Sequence, residues 1–252
     1  MFSVKIKARL TGLALIGAAL ASPAIAQAGV VVKSSGPSSG TYPVGKKVED
    51  DASITLRAGD RITVLTDSGT RVMQGPGTFR VGEGATRTRA RFSNLTRKNS
   101  ASRVRTGAVR GTADGPIRSP NLWYVNVEAS GTMCLYDLGS VRLWRPDAST
   151  SATYTITDMS SAASLDVAFV ETEAVRSLDP EGLAVMDGVT YSITGPEIGE
   201  EEAGELPKVS VTFVALTEEY AAPADLAQAL IDRGCTTQLG LLADTLEASV
   251  PD

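Results

Sequence analysis

The chain contains no histidine, which removes the commonest general base and the commonest metal ligand. Cysteine occurs only twice, at Cys134 and Cys235, and a nucleophilic cysteine would have no histidine to activate it. No S-x-x-K motif is present, so a serine–lysine acylase has no motif here. Long apolar runs are missing after the first 26 residues, and nothing downstream reaches the ~20 residues that a membrane span requires. These absences leave no recognisable reaction centre, and no catalytic, cofactor or metal residue is assigned.

What is present first is an export signal. Met1 to Ala26 carries Lys5, Lys7 and Arg9, an apolar run from Leu10 to Leu20, and small residues at Ala24 and Ala26, the A-x-A pattern read by signal peptidase. Cleavage between Ala26 and Gln27 is expected to leave 226 of the 252 residues, enough for two modest domains or one large β domain. The expected location is a bacterial periplasm or beyond, with no lipoprotein anchor, because no cysteine follows the cut, and no membrane span in the mature chain.

Charge is distributed very unevenly. Gln27 to Ser119 holds 16 Lys and Arg against 7 Asp and Glu, a net of +9, whereas Pro120 to Asp252 holds 5 against 22, a net of −17. Ten of the basic residues lie between Arg80 and Arg118. Nucleic acid would be the usual partner of such a stretch, but export makes it an improbable one. An anionic envelope component (lipid, lipopolysaccharide or glycan), an unidentified protein or the acidic half of this same chain remain, with Arg87, Arg89, Arg91, Arg97, Lys98, Arg103 and Arg105 as the candidate polyanion contacts.

An even pair of cysteines in an oxidising compartment is expected to form a disulfide. Joining Cys134 to Cys235 closes a loop of 101 residues, which in the chain-entropy model stabilises a fold by ~4–5 kcal/mol. The fold expected is mainly β. Ile54 and Leu56, then Ile62 and Val64, alternate with polar residues, as in strands with one buried face. Thr70 to Met73 continues the pairing, and Gly75-Pro76-Gly77 breaks it before Phe79 and Val81. Between Gly82 and Pro120 apolar content falls, and a linker is expected in preference to a short helix over Arg89 to Lys98.

Strands resume at Leu122–Val127, Met133–Tyr136, Val141–Trp144, Tyr154–Ile156, Leu165–Val170, Tyr191–Ile193 and Val209–Val214. Asp187-Gly188 predicts a tight hairpin between Leu183–Met186 and Val189–Ile193. Pro223 can open a helix carrying Leu226, Leu230 and Ile231, ended by Gly234, and a second helix from about Thr237 carries Leu239, Leu242 and Leu246. The expected domains are a signal peptide (1–26), a basic β domain (27–82), an Arg-rich connector (83–119) and an acidic β-sandwich-like domain closed by two C-terminal helices (120–252).

Several short patterns have plain structural readings. Gly36-Pro37-Ser38-Ser39-Gly40 fits the nucleophile-elbow spacing but lacks its strand–turn–helix context and its histidine. Asp67-Ser68-Gly69-Thr70 follows an apolar strand, as in aspartic proteases, yet that mechanism needs two aspartates sharing a proton; a β-turn is expected. Asp67 is therefore the candidate only for an alternative reading, an envelope hydrolase using carboxylates. Glu200, Glu201, Glu202 and Glu205 lack the alternating spacing of a calcium loop, and Trp123, Tyr124 and Trp144 read as core before they read as a carbohydrate site.

One resemblance adds to this. TLRAGDRITVLTDSGTRVM (Thr55 to Met73) and VRTGAVRGT (Val104 to Thr112) resemble the periplasmic domain of the FecR family, and GTMCLYDLGSVRL (Gly131 to Leu143) is similar to that family's closing strands. The likeness covers about 29–115 and extends to 146 at its weakest. It implies a non-catalytic β domain used in sensing or envelope interactions, with Gly59, Asp60, Gly69, Arg110, Gly111 and Thr112 as turn and fold residues. Iron signalling is not carried over, since it depends on a membrane span and a cytoplasmic segment not found here. The function expected is a non-enzymatic exported binding, interaction or sensor-partner module.

Overall fold

Alternating and continuous apolar runs sort the chain into strands of two kinds. The computed structural model describes residues 29–67, 69–96, 119–197 and 206–248; the expected signal segment with its Ala26–Gln27 junction, Arg97, Lys98, Arg103, Arg105, the VRGT stretch and the Glu200–Glu205 run lie outside them. In the first half, β1 (Gly29–Ser35), β2 (Lys47–Val48), β4 (Arg61–Leu65) and β5 (Thr70–Gln74) form an antiparallel sheet in the order β2-β1-β4-β5, beside a ribbon of β3 (Ser53–Leu56) and β6 (Gly77–Arg80). β1 is apolar on both faces. Val31 joins a core with Val48, Ile54, Leu56, Ile62, Val64 and Met73, while Val30 and Val32 turn the other way into a second core.

The second half contains β7 (Tyr124–Asn126), β8 (Gly131–Leu135), β9 (Arg142–Trp144), β10 (Ala152–Asp158), β11 (Ser164–Phe169), β12 (Val175–Ser177), β13 (Thr190–Glu197) and β14 (Lys208–Ala215). A five-stranded sheet, β11-β10-β13-β14-β8, and a three-stranded sheet, β12-β9-β7, share one apolar core. β10 shows the cause at its simplest: Ala152, Tyr154 and Ile156 are buried and the threonines between them are not, the period of two that a pleated strand imposes. Edge-to-face pairs Tyr154–Phe169 and Tyr191–Phe213 fill the middle. Arg145 is 1 % exposed and donates to the carbonyls of Glu173, Thr150 and Val170 at 2.6–2.8 Å, with Phe169 under its guanidinium.

Helices α2 (Pro223–Asp232) and α3 (Thr236–Glu247) follow. Pro223 opens α2, where a missing N–H costs nothing, and Gly234 takes the left-handed conformation that separates the two helices. Leu239, Leu242, Ala243 and Leu246 recur at the spacing of one helix face and are buried. That face lies in a core shared by both halves, with Val30, Val32 and Leu65 on one side and Leu122, Cys134 and Leu216 on the other. Among the described residues no helix is long and apolar enough to cross a membrane. Strands outweigh helices, and the protein is mainly β.

Two local expectations are corrected. The segment from Arg89 is not all linker: α1 (Arg89–Thr96) forms because Phe92, 2 % exposed, reaches the shared core and the Leu95 carbonyl accepts the Trp123 indole N–H at 2.6 Å. The hairpin about Asp187-Gly188 does not form either. The Tyr191 hydroxyl donates to the Ala184 carbonyl and accepts the Met186 N–H, both at 3.0 Å, and the Asp187 carboxylate accepts the Ala215 N–H, so the segment is tied to β14 and β13 pairs with β10 and β14.

Candidate functional site

Cys134 and Cys235 are bonded, with their Cα atoms 6.0 Å apart, and among the described residues no cysteine is free. The bond fixes the turn between α2 and α3 to β8. Gln238, one turn into α3 and 3 % exposed, completes the attachment. Its side-chain carbonyl accepts the Cys134 N–H at 2.7 Å, and its amide donates to the carbonyls of Cys134 at 2.8 Å and Leu122 at 3.0 Å. A side chain thus replaces a neighbouring strand at the outer edge of β8.

Where Gln238 stops, a cleft of about 550 Å³ opens, within the usual range for small-ligand sites. β7 and β8 are each the end strand of a sheet and form two of its walls. The stripe Thr237, Leu241 and Asp244 of α3 forms the third, and Lys33 of β1 closes one end. Leu122, Tyr124, Val125, Met133 and Val211 are buried and make the floor.

The polar groups of the cleft fall into two sets. Some are spent on the fold: the Asn121 side-chain oxygen Oδ1 accepts the Trp123 N–H, that of Asn126 accepts the Glu128 N–H, both at 2.9 Å, and Ser130 Oγ accepts the Ser210 N–H. Lys33 pairs with Asp244 and, at 2.7 Å, with Glu247, which also holds Arg61. Burial pushes the Glu247 carboxyl up, but hydrogen bonds from Lys33 and Arg61 outweigh it and hold it below its ordinary value. The amide nitrogens of Asn121 and Asn126 and the hydroxyls of Thr132, Thr236 and Thr237 have no partner among the described residues, and all five residues line the cleft.

The residues singled out by sequence scatter around this site. Arg87 and Arg91 are exposed, and Arg91 donates to the Thr245 carbonyl at 3.5 Å, at the last turn of α3; Arg89 lies at the start of α1. Tyr124 lines the cleft, but Trp144 lies in the core and Trp123 tilts against Tyr136 at 4.9 Å. Asp67 sits in the turn joining β4 to β5, closed by paired Thr66–Gly69 backbone bonds. Burial, then the charges of Asp225 and Asp50, push its carboxyl above the ordinary range.

Ser38 of the Gly36–Gly40 loop is buried and donates its N–H to the Asp60 carboxylate at 2.8 Å. Asp60 also accepts the Arg57 N–H; burial raises its pKa, but these bonds and the Ser38 hydroxyl leave it lowered. A Cβ on Gly36 would come within 2.7 Å of Asp60 atoms, so only glycine fits there. The G-D turn is therefore a structural clasp. Among the described residues no group of three carboxylates or thiols could hold a metal ion.

No protein-family model matches the chain, and comparison with curated proteins and with solved structures finds no similar one. Sequence reasoning had no means of finding the cleft, whose walls come from positions 33, 119–133, 211 and 236–244. Its one legible signal was the cysteine pair, which brings two of those segments together.

Proposed function

We propose that this chain is a non-enzymatic, exported envelope protein that works as a binding or interaction module, its first half FecR-like. The observation that carries the reading is the cleft between β7, β8 and α3, which combines an apolar floor with side-chain donors and hydroxyls that the fold leaves unused. The signal-like segment 1–26 supports export, and the paired turns at Asp60 and Asp67 support a structural use of the residues shared with the FecR pattern. A second contact is supported by the exposure of Arg87 and Arg91: an anionic lipid, lipopolysaccharide or glycan surface meeting the arginine-bearing side near α1.

Co-sedimentation with phosphatidylglycerol vesicles, lipopolysaccharide and purified peptidoglycan tests the reading. The protein is expected to bind at least one of them, and replacing Arg87, Arg89 and Arg91 with serine is expected to weaken the vesicle arm without changing Tm. Hydrolysis of an envelope ester, peptide or glycoside that disappears in Asp67→Asn would overturn the module in favour of the carboxylate hydrolase.

A further inference from the structure

We infer that the cleft between β7, β8 and α3 is a carbohydrate site, taking a neutral mono- or disaccharide unit. The inference rests on the binding-module reading above and names its ligand class. Charge narrows the choice first. The two ionic groups that line the cleft, Lys33 and Asp244, already face each other. An anionic ligand would meet Asp244 and a cationic one would meet Lys33, so either would break an existing pair, whereas a neutral ligand leaves it intact.

The hydrogen-bonding groups narrow it further. The residues lining this one space include the amide donors Asn121 and Asn126 and the hydroxyl-bearing Thr132, Thr236 and Thr237, each hydroxyl able to donate and to accept. A ligand that matches them carries many hydroxyls or amides over a small volume. An acyl chain would leave them unpaired, at ~1–3 kcal/mol for each group so buried. The floor of Leu122, Tyr124, Val125, Met133 and Val211 suits the C–H face of a pyranose, which is apolar while its rim is polar.

An extended peptide added to the sheet edges is the competing occupant, and the hydrogen-bond register disfavours it. β8 pairs with β14 in parallel, and the Leu135 carbonyl accepts the Leu216 N–H, so the main-chain groups of Gly131, Met133 and Leu135 face β14 and those of Thr132 and Cys134 face outward. Gln238 occupies both outward groups of Cys134. Thr132 alone remains, one residue of edge, too little for a strand to add to β8. On β7 the outward Tyr124 N–H goes to the Asn121 main-chain carbonyl and the Asn126 main-chain carbonyl accepts the Ala129 N–H, so that edge too is largely spent and the side chains carry most of the cleft's binding capacity.

Titration of the full-length, oxidised protein by ¹H–¹⁵N NMR with cellobiose, maltose and N,N′-diacetylchitobiose tests this, with acetyl-Val-Thr-Val-amide as the peptide arm. At least one disaccharide is expected to shift the Asn121 and Asn126 side-chain amides and the Thr132 and Thr237 backbone amides to saturation. Asn126→Asp keeps an oxygen to accept the Glu128 N–H but exchanges the amide donor for a charged acceptor, and Thr237→Val removes a hydroxyl without adding charge; each is expected to weaken binding several-fold and the two together about tenfold, the effect of losing hydrogen bonds of ordinary strength, at unchanged Tm. Saturation by the peptide and not the sugars would overturn the ligand class while leaving the module standing. No shift in the cleft with any probe, in protein that still sediments with envelope fractions, would overturn the carbohydrate site alone. No shift and no sedimentation would remove both readings.

Discussion

The helical pair meets the second-half sheet through a disulfide and a buried amide, and it meets the first-half sheet through valines and a set of ion pairs. On the β8 side the fastening is covalent and sealed: Cys134 and Cys235 are fully buried, and Gln238 is nearly so. On the β1 side Lys33 and Arg61 reach Asp244 and Glu247 with side chains still 15–45 % exposed, where water and salt weaken each pair. The same two helices are thus held by one contact that responds to reductant and another that responds to acid and salt. Their shared apolar face, with Leu230, Leu242 and Leu246 fully buried, is what makes either contact matter to both halves.

The largest effect tests the covalent side. Cys134→Ser with Cys235→Ser is expected to lower stability by ~4 kcal/mol in urea unfolding, as the chain-entropy argument for a long loop requires. A loss close to zero would mean that the apolar face alone holds the helices to β8. Next, Leu242→Ala opens a cavity in the core that both halves use and is expected to cost ~3 kcal/mol. Its unfolding, followed by tryptophan fluorescence in the second half and by amide exchange in β1 and β4, should remain one transition; two transitions would show that the halves fold independently. Gln238→Ala strands the Cys134 N–H and two carbonyls and is expected to cost ~1–3 kcal/mol, with faster exchange at Cys134.

The ionic side should give less. Glu247→Gln is expected to cost about 0.2–1 kcal/mol at neutral pH. Because the folded Glu247 carboxyl titrates below its ordinary value, its contribution is complete above the ordinary glutamate range and disappears as pH falls through the folded value. The difference between parent and variant should therefore close on acidification, and at ~1 M salt as the screening length drops to ~3 Å. The smallest effect has the opposite sign. Burial and the charges of Asp225 and Asp50 raise Asp67, so its ionised form costs stability, and Asp67→Asn is expected to raise Tm slightly at pH 7 and to have no effect below the ordinary aspartate range. A Tm that falls instead would show that the Asp67 charge has a partner in the fold.

How much of this was readable in the sequence depends on how local the cause was. Strands around Ile54, Ile62 and Tyr154 announce themselves because each buries one face and exposes the other, and α2 and α3 do so through a helical spacing bracketed by Pro223 and Gly234. The disulfide followed from counting. β1 gave no alternating signal because it buries both faces, Val31 toward one core and Val30 and Val32 toward another. α1 was hidden by its arginines, since a single deeply buried Phe92 and a bond from Trp123 are long-range causes. The hairpin failed for the same reason: the Asp187-Gly188 turn forms, with the Val189 N–H on the Met186 carbonyl, but the Tyr191 hydroxyl ties up Ala184 and Met186 and β13 pairs with β10 and β14 instead. The cleft was the least legible, because it exists only after two sheet ends, a helix and Lys33 have been brought together.

Arg145 has a consequence for how the second half can change. Its buried guanidinium is satisfied by the backbone carbonyls of Thr150, Val170 and Glu173 and by the face of Phe169, with no carboxylate in ion-pair contact among the described residues. Main-chain oxygens are present whatever the side chain, so this grip places no demand on the side chains at 150 and 170, whereas Glu173 is also used through its carboxylate, which accepts the Val170 N–H and pairs with Arg176. The arginine itself cannot be exchanged, because lysine offers a point charge in place of a planar fork. The loops it grips tolerate sequence variation around one fixed residue, and a tag or spectroscopic label placed at position 150 or 170 would ride on a rigid anchor.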